Sequence, residues 1–182
     1  MQKLASWFFN TIYLSDDLST VIKIPKQTAK LIGETAKSLN YALEVHKEYL
    51  GDALPETDIK TWNISPTWYY TEQEFITWTP LYSSNLNETL QKEFDYLLQQ
   101  WIAMEKGKKL FFDLYGRNWF LHNSRQLLSA SPNIFYSNYI LTPEQRITYI
   151  DIWNLPIQNP VVRSGKALRD MIYRLHTWKH LW

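Results

Sequence analysis

Packing alone must hold this chain together: its 182 residues contain no cysteine, yet they carry 9 Trp, 12 Tyr and 8 Phe. Without thiols there is no disulfide, no thiolate metal site and no cysteine nucleophile, so the burial of large side chains decides the fold. Hydrophobic residues make up 45% and charged residues 20%, values of a globular protein rather than a disordered one. A chain of this length buries roughly 70% of its unfolded surface, enough to stand without staples. One domain spanning residues 1–182 is expected.

Two segments read as strong helices. Following Pro25, which suits a first helical turn, apolar or small residues recur at Ala29, Ile32, Ala36, Leu39, Leu43, His46 and Leu50. That spacing predicts a helix over 26–50, with charged residues on its opposite face and Gly51 as its stop. Asn85 with Glu88 three residues on forms a capping-box pattern. It opens a helix over 85–106 whose stripe is Leu86, Leu90, Phe94, Leu97, Leu98, Trp101 and Met104. A third helix is predicted at 164–181, opened by Ser164 with Leu168, Met171, Ile172, Leu175, Trp178 and Leu181 on one side. The expected fold is therefore mostly α, a single helical domain.

The remaining segments fit around that frame. The apolar cluster Trp7, Phe8, Phe9, Ile12, Tyr13 and Leu14 predicts a short helix within an N-terminal arm, residues 1–17, that must be buried somewhere. Residues 52–84 hold Pro55, Pro66 and Pro80 among seven large rings, which excludes a long helix. This aromatic insertion is expected to be extended, with a hairpin pairing Thr67–Thr71 to Glu74–Thr79 or an ordered loop. Past Gly107 the amphipathic phase points to helix through Tyr115, with a hairpin about Gly116 as the alternative, and 118–130 reads as one more helix. Thr142-Pro143-Glu144-Gln145 matches a helix start, although Ile147–Trp153 alternates and is β-branched, so a strand competes there. Residues 156–182 form a linker followed by the basic amphipathic helix.

No catalytic constellation emerges. His176 and His180 stand four apart, but no Glu follows the first and Lys179 lies between them, so no metal site is assigned. His46 occupies a seam position and reads as a core histidine satisfied by a hydrogen bond. His122 lacks a nucleophile partner, and no glycine-rich phosphate loop exists. The expectation is a non-enzyme without catalytic residues, metal, cofactor or small-molecule substrate.

What the sequence does offer is rings in excess and a divided charge. Tyr and Trp join a large apolar body to a polar tip, which suits half-wet contacts between proteins. The expected contact residues are Trp7, Phe8, Phe9, Trp62, Trp68, Tyr69, Tyr70, Trp78, Tyr82, Trp178 and Trp182. The function expected is a structural or adaptor subunit that docks on protein partners or on copies of itself in a larger assembly, such as a virion, a ring or an organellar complex. Residues 106–182 hold 11 basic and 4 acidic side chains, against 1 and 6 in residues 61–105. That asymmetry opens an alternative, nucleic-acid binding through Arg117, Arg125, Arg163, Lys166, Arg169, Arg174 and Lys179 among interleaved aromatics. The plain alternative is docking of the basic third on the chain's own acidic middle. A peripheral membrane role for the terminal helix is a further alternative. With no signal-peptide pattern and no run of roughly 18 apolar residues, an intracellular, soluble or assembly-bound protein is expected.

Overall fold

The computed structural model describes residues 1–6, 10–26, 35–61, 68–108, 110–112, 133, 135–152 and 154–156. These residues do not form a predominantly helical domain. Ten strands accompany two α-helices among them, so the mostly α expectation is overturned. The strands are β1 (Gln2–Ser6), β2 (Asn10–Leu14), β3 (Thr20–Pro25), β4 (Thr57–Thr61), β5 (Tyr69–Glu74), β6 (Thr79–Tyr82), β7 (Leu110–Phe112), β8 (Phe135–Leu141), β9 (Ile147–Tyr149) and β10 (Asn154–Pro156). The helices are α1 (Ala36–Leu50) and α2 (Glu88–Lys108). The chain divides into two compact units, Met1–Thr79 with Ile140–Ile152, and Pro80–Tyr139 with Trp153–Trp182.

The first unit is organised by a five-stranded sheet in the order β1-β2-β3-β5-β4. Every neighbouring pair is antiparallel. Because β3 and β4 are both antiparallel to β5, they run parallel to each other, and α1 is the crossover that joins them. The alternation of β5 fixes which residues face inward: Tyr69, Thr71 and Gln73 are buried while Tyr70, Glu72 and Glu74 are not. Register carries that parity across all five strands. One inward row is Gln2, Leu14, Val21, Gln73 and Thr57, and the next is Ala5, Ile12, Lys23, Thr71 and Ile59. Within the first, the buried Gln73 Nε2 donates to Thr57 Oγ1 at 3.2 Å. Helix α1 lies on this side, where Ala36, Leu39 and Leu43 pack with Tyr69, Ile59 and Ile152. A bulge between Lys3 and Ala5 turns Leu4 out to solvent, as an extra residue in one strand does.

Several expectations are corrected here. The N-terminal arm is two strands rather than a helix, because Ile12 and Leu14 meet a core at period 2. Ser15–Ser19 is the β2–β3 turn, with Leu18 at φ +59 and its N–H bonded to Ser15 O at 3.1 Å. Asp17 Oδ1 accepts from Ser15 Oγ at 2.5 Å and from Ser19 N–H at 3.1 Å. The Ser15 hydroxyl, more than the Ser19 groups, holds the Asp17 carboxyl down to about 2. Pro25 ends β3, and residues 27–34 of the helix predicted over 26–50 lie outside the described residues. Helix α1 begins at Ala36, where Thr35 and Ser38 form a reciprocal capping box. Residues 52–84 are no insertion laid across helices, since β5 lies inside the main sheet and pairs with β3 and β4 rather than with Glu74–Thr79. Of the undecided stretches, Leu110–Phe112 and Ile147–Tyr149 are strands.

Thr142–Arg146 is also a hairpin turn, not a helix start. Thr142 N–H bonds Arg146 O at 2.9 Å, Gln145 N–H bonds Thr142 O at 3.0 Å, and Gln145 sits at φ +59. A polar residue followed by proline serves the second position of a turn as readily as the first turn of a helix. The pairing of β9 with β8 decides between them. The predicted helices at 118–130 and 164–181 lie outside the described residues.

In the second unit α2 buries Leu90, Phe94, Leu97, Leu98, Trp101 and Met104, the stripe that its spacing predicts except for Leu86, which precedes the helix and is half-buried. Its cap is Asn87, whose Oδ1 accepts from Leu90 N–H at 2.9 Å, whereas Asn85 bonds Tyr82 N–H at 2.8 Å. Phe94 packs on Tyr136 with ring centroids 4.5 Å apart and edge-on to Tyr139 at 5.2 Å. Strands β7 and β10 pair antiparallel in this unit.

Gly51, which closes α1, has φ +50 and ψ −123 with open space where a Cβ would stand. Only the backbone penalty then opposes a side chain, so Gly51→Ala is expected to destabilise by about 1–2 kcal/mol. A urea titration reads this directly, and an unchanged midpoint would mean that the turn relaxes at no cost.

Candidate functional site

The residues that alternate outward on the five-stranded sheet form the strongest candidate surface. One complete row across the sheet is Lys3, Tyr13, Ile22, Glu72 and Asp58. Beside it run Ser6, Thr11 and Ile24 on the first three strands, and Tyr70 opposite Lys60 on the last two. An antiparallel sheet with one wet side alternates apolar inward and polar outward. This one does not: Tyr13, Ile22, Ile24 and Tyr70 all face outward and all remain half-buried, while Ile12, Leu14 and Tyr69 behind them are buried. Trp68, one residue before β5, shares the parity of Tyr70 and Glu72 and is 52% exposed. Trp78, four residues after β5, is 51% exposed.

The charged rim of this face is structured. Lys60 Nζ donates to Asp58 Oδ2 at 2.6 Å, which holds the Asp58 carboxyl below its ordinary range and Lys60 above its own. Both groups are exposed, and such pairs contribute little to stability. At one end of the sheet Asp52, Glu56, Asp58, Glu72 and Glu74 border an open groove of about 730 Å³, with Lys47 as the only cationic lining residue among the described residues. Among the described residues no group of His, Asp or Glu is arranged to hold a metal ion. A groove with five carboxylates repels phosphate, so this part of the unit does not favour the nucleic-acid alternative.

Two titratable groups sit on the inward side. Lys23 lies mid-row between Ile12 and Thr71, and its Nζ donates to Ile150 O at 2.6 Å. Burial pushes its ammonium below the ordinary value, and the Asp151 carboxylate opposes that. The lysine thereby ties the central strand to the segment that follows β9. His46 is 0% exposed, its Nδ1 is 2.6 Å from Ala42 O, and its ring stacks on Tyr149 at 5.7 Å. With a carbonyl as acceptor, Nδ1 carries the proton. The one histidine among the described residues is thus a sealed core residue, as its seam position predicts, with no access to a substrate.

The expected contact residues divide as follows. Trp68 and Trp78 are exposed, while Tyr70 and Tyr82 are half-buried. Tyr69 is 3% exposed and leaves the contact set, because its parity turns it under α1. Trp7, Phe8, Phe9, Trp62, Trp178 and Trp182 lie outside the described residues. So do Arg117, Arg125, Arg163, Lys166, Arg169, Arg174 and Lys179, along with His122, His176 and His180. Sequence reasoning omits Tyr13, Ile22 and Ile24 from the site. Their signal is the parity opposite to Ile12, Leu14 and Val21, which acquires meaning only once the strand register is known. Among the described residues no helix is long and apolar enough to cross a membrane. No protein-family model matches the chain, and no curated protein is significantly similar to it in sequence.

Proposed function

We propose that this chain is a non-catalytic docking subunit that contributes an apolar, ring-bearing sheet face to a larger protein assembly. The observation that carries the reading is the exposure of Trp68 and Trp78 on either side of β5, 52% and 51%. Trp68 extends an outward row of half-buried Tyr and Ile. Covering the exposed half of one indole removes on the order of 100 Å² from water, about 2–3 kcal/mol before ordering costs. An exposed ring of this kind beside a polar rim is the pattern of an interface core. The acidic end of the sheet favours partners without concentrated negative charge.

The test compares the native chain with Trp68→Ala/Trp78→Ala. Acrylamide quenching of the free protein is expected to show an accessible tryptophan component that the double variant loses. In the native source, the wild-type chain is expected to be recovered in a stoichiometric complex, with its own copies or another protein, and the variant at least tenfold less. Equal recovery of a well-folded variant would reject the reading, as would a wild-type chain that never leaves the monomer pool.

A further inference from the structure

We infer that the outward sheet face docks on the same face of a second copy, about a two-fold axis parallel to the strands; the inference rests on the docking reading above. Charge decides the occupant and its orientation. The row Lys3, Tyr13, Ile22, Glu72, Asp58 is cationic at the β1 edge, apolar in the middle and anionic at the β5–β4 edge. A two-fold axis parallel to the strands sets β1 of each copy over β5 and β4 of the other. Lys3 then meets the partner's acidic edge twice, once on each side of the axis. An axis perpendicular to the strands would instead set Lys3 on Lys3 and carboxylate on carboxylate. The face is complementary to itself in one arrangement only, which is the requirement of an isologous interface. Within each copy Lys60 bonds Asp58 directly at 2.6 Å and feels Glu72 only through space, so Glu72 is the less neutralised carboxylate facing Lys3.

The apolar centre supplies the attraction. Tyr13, Ile22, Ile24 and Tyr70 are half-buried, so each keeps apolar surface that a facing copy would remove from water. Facing sheets pack about 10 Å apart with their strands nearly aligned, as this axis requires. The size of the face sets the strength. Five strands about 4.8 Å apart and about 17 Å long present roughly 400 Å² per copy. Twice that area lies at the low end of specific interfaces, so a dissociation constant on the order of 10–100 μM is expected.

The experiment is sedimentation velocity of the full chain from about 1 to 300 μM, with circular dichroism to confirm that each variant folds. A monomer–dimer equilibrium is expected in the wild type. Lys3→Glu sets two acidic edges together and is expected to weaken the dimer at least tenfold. The swap Lys3→Glu/Glu72→Lys is expected to restore it to within about threefold. Ile22→Lys is expected to abolish it. Should Ile22→Lys fail to fold, the two charge variants, both at surface positions, still decide the matter. A dimer indifferent to Lys3→Glu, or a swap that does not rescue, would overturn the proposed face. A monomer throughout the range with Trp68 open to acrylamide would overturn self-docking and leave a different protein as the occupant. A monomer whose Trp68 and Trp78 are both closed to acrylamide would overturn the docking reading as well.

Discussion

Replacing Phe94 by alanine is expected to lower the stability of the unit that holds α2 by about 3–5 kcal/mol, the range for truncating a fully buried aromatic ring. Phe94 is 2% exposed and stands between Tyr136 and Tyr139, at 4.5 Å and 5.2 Å. Its loss removes the burial of the ring, opens a cavity, and ends two ring–ring contacts that no neighbour can remake. Small domains have total stabilities of about 5–15 kcal/mol, so this substitution consumes a large part of the whole. Tyr96, two positions on, is exposed, and Tyr96→Ala is expected to stay within about 0.5 kcal/mol. Urea titrations of the two variants provide the comparison. A Phe94→Ala loss below about 1 kcal/mol would show that α2 does not pack through this stripe.

Helix α2 was legible because everything that makes it is local. Its stripe repeats at helical spacing, and a side-chain cap stands near the position where the pattern asks for one, at Asn87 instead of Asn85. Helix α1 was legible for the same reason, from Ala36 to its stop at Gly51. Pro25 was not, because proline fits the end of a strand as well as a first helical turn, and residues 27–34 lie outside the described residues. The sheet was not legible at all. Each of its rows gathers residues from five separate strands, and no window along the chain contains a row. In β2 the alternation spans only five residues and sits against the cluster Trp7, Phe8 and Phe9, whose apolar run masks period 2. The same limit applies to the candidate site. Ring density singled out Trp68 and Tyr70 but also the inward Tyr69, and only pairing separates neighbours that point to opposite faces. Lys23 carries this furthest, as a lysine on the core side of a central strand, kept there by a carbonyl contributed from residue 150.

Acidification is expected to remove about 3 kcal/mol of stability by pH 4 through His46 alone. Burial lowers this imidazole from 6.5 to about 4, against a smaller opposing effect of the Ala42 carbonyl. The unfolded chain therefore takes up a proton near pH 6.5 that the folded protein refuses until about pH 4. Between those values the unfolded state binds more protons, so stability falls as pH falls, with a slope of about 1.2 kcal/mol per unit at pH 5. Below about pH 4 both states are protonated and this contribution stops growing. Carboxylates act in a separate window. Asp17 and Asp58 are held below their ordinary value of 3.8, so the stability they contribute is lost as pH drops through their lowered folded-state values. His46→Leu keeps an apolar side chain of similar volume beside Tyr149 and cannot charge. Its stability is expected to be nearly flat from pH 6.5 to 4.5, where the wild type declines steeply, and the two curves should run parallel again below about pH 4. Equal slopes at pH 5 would mean that water or a counter-charge reaches the His46 ring, and the core between α1 and Tyr149 would then be looser than its geometry requires.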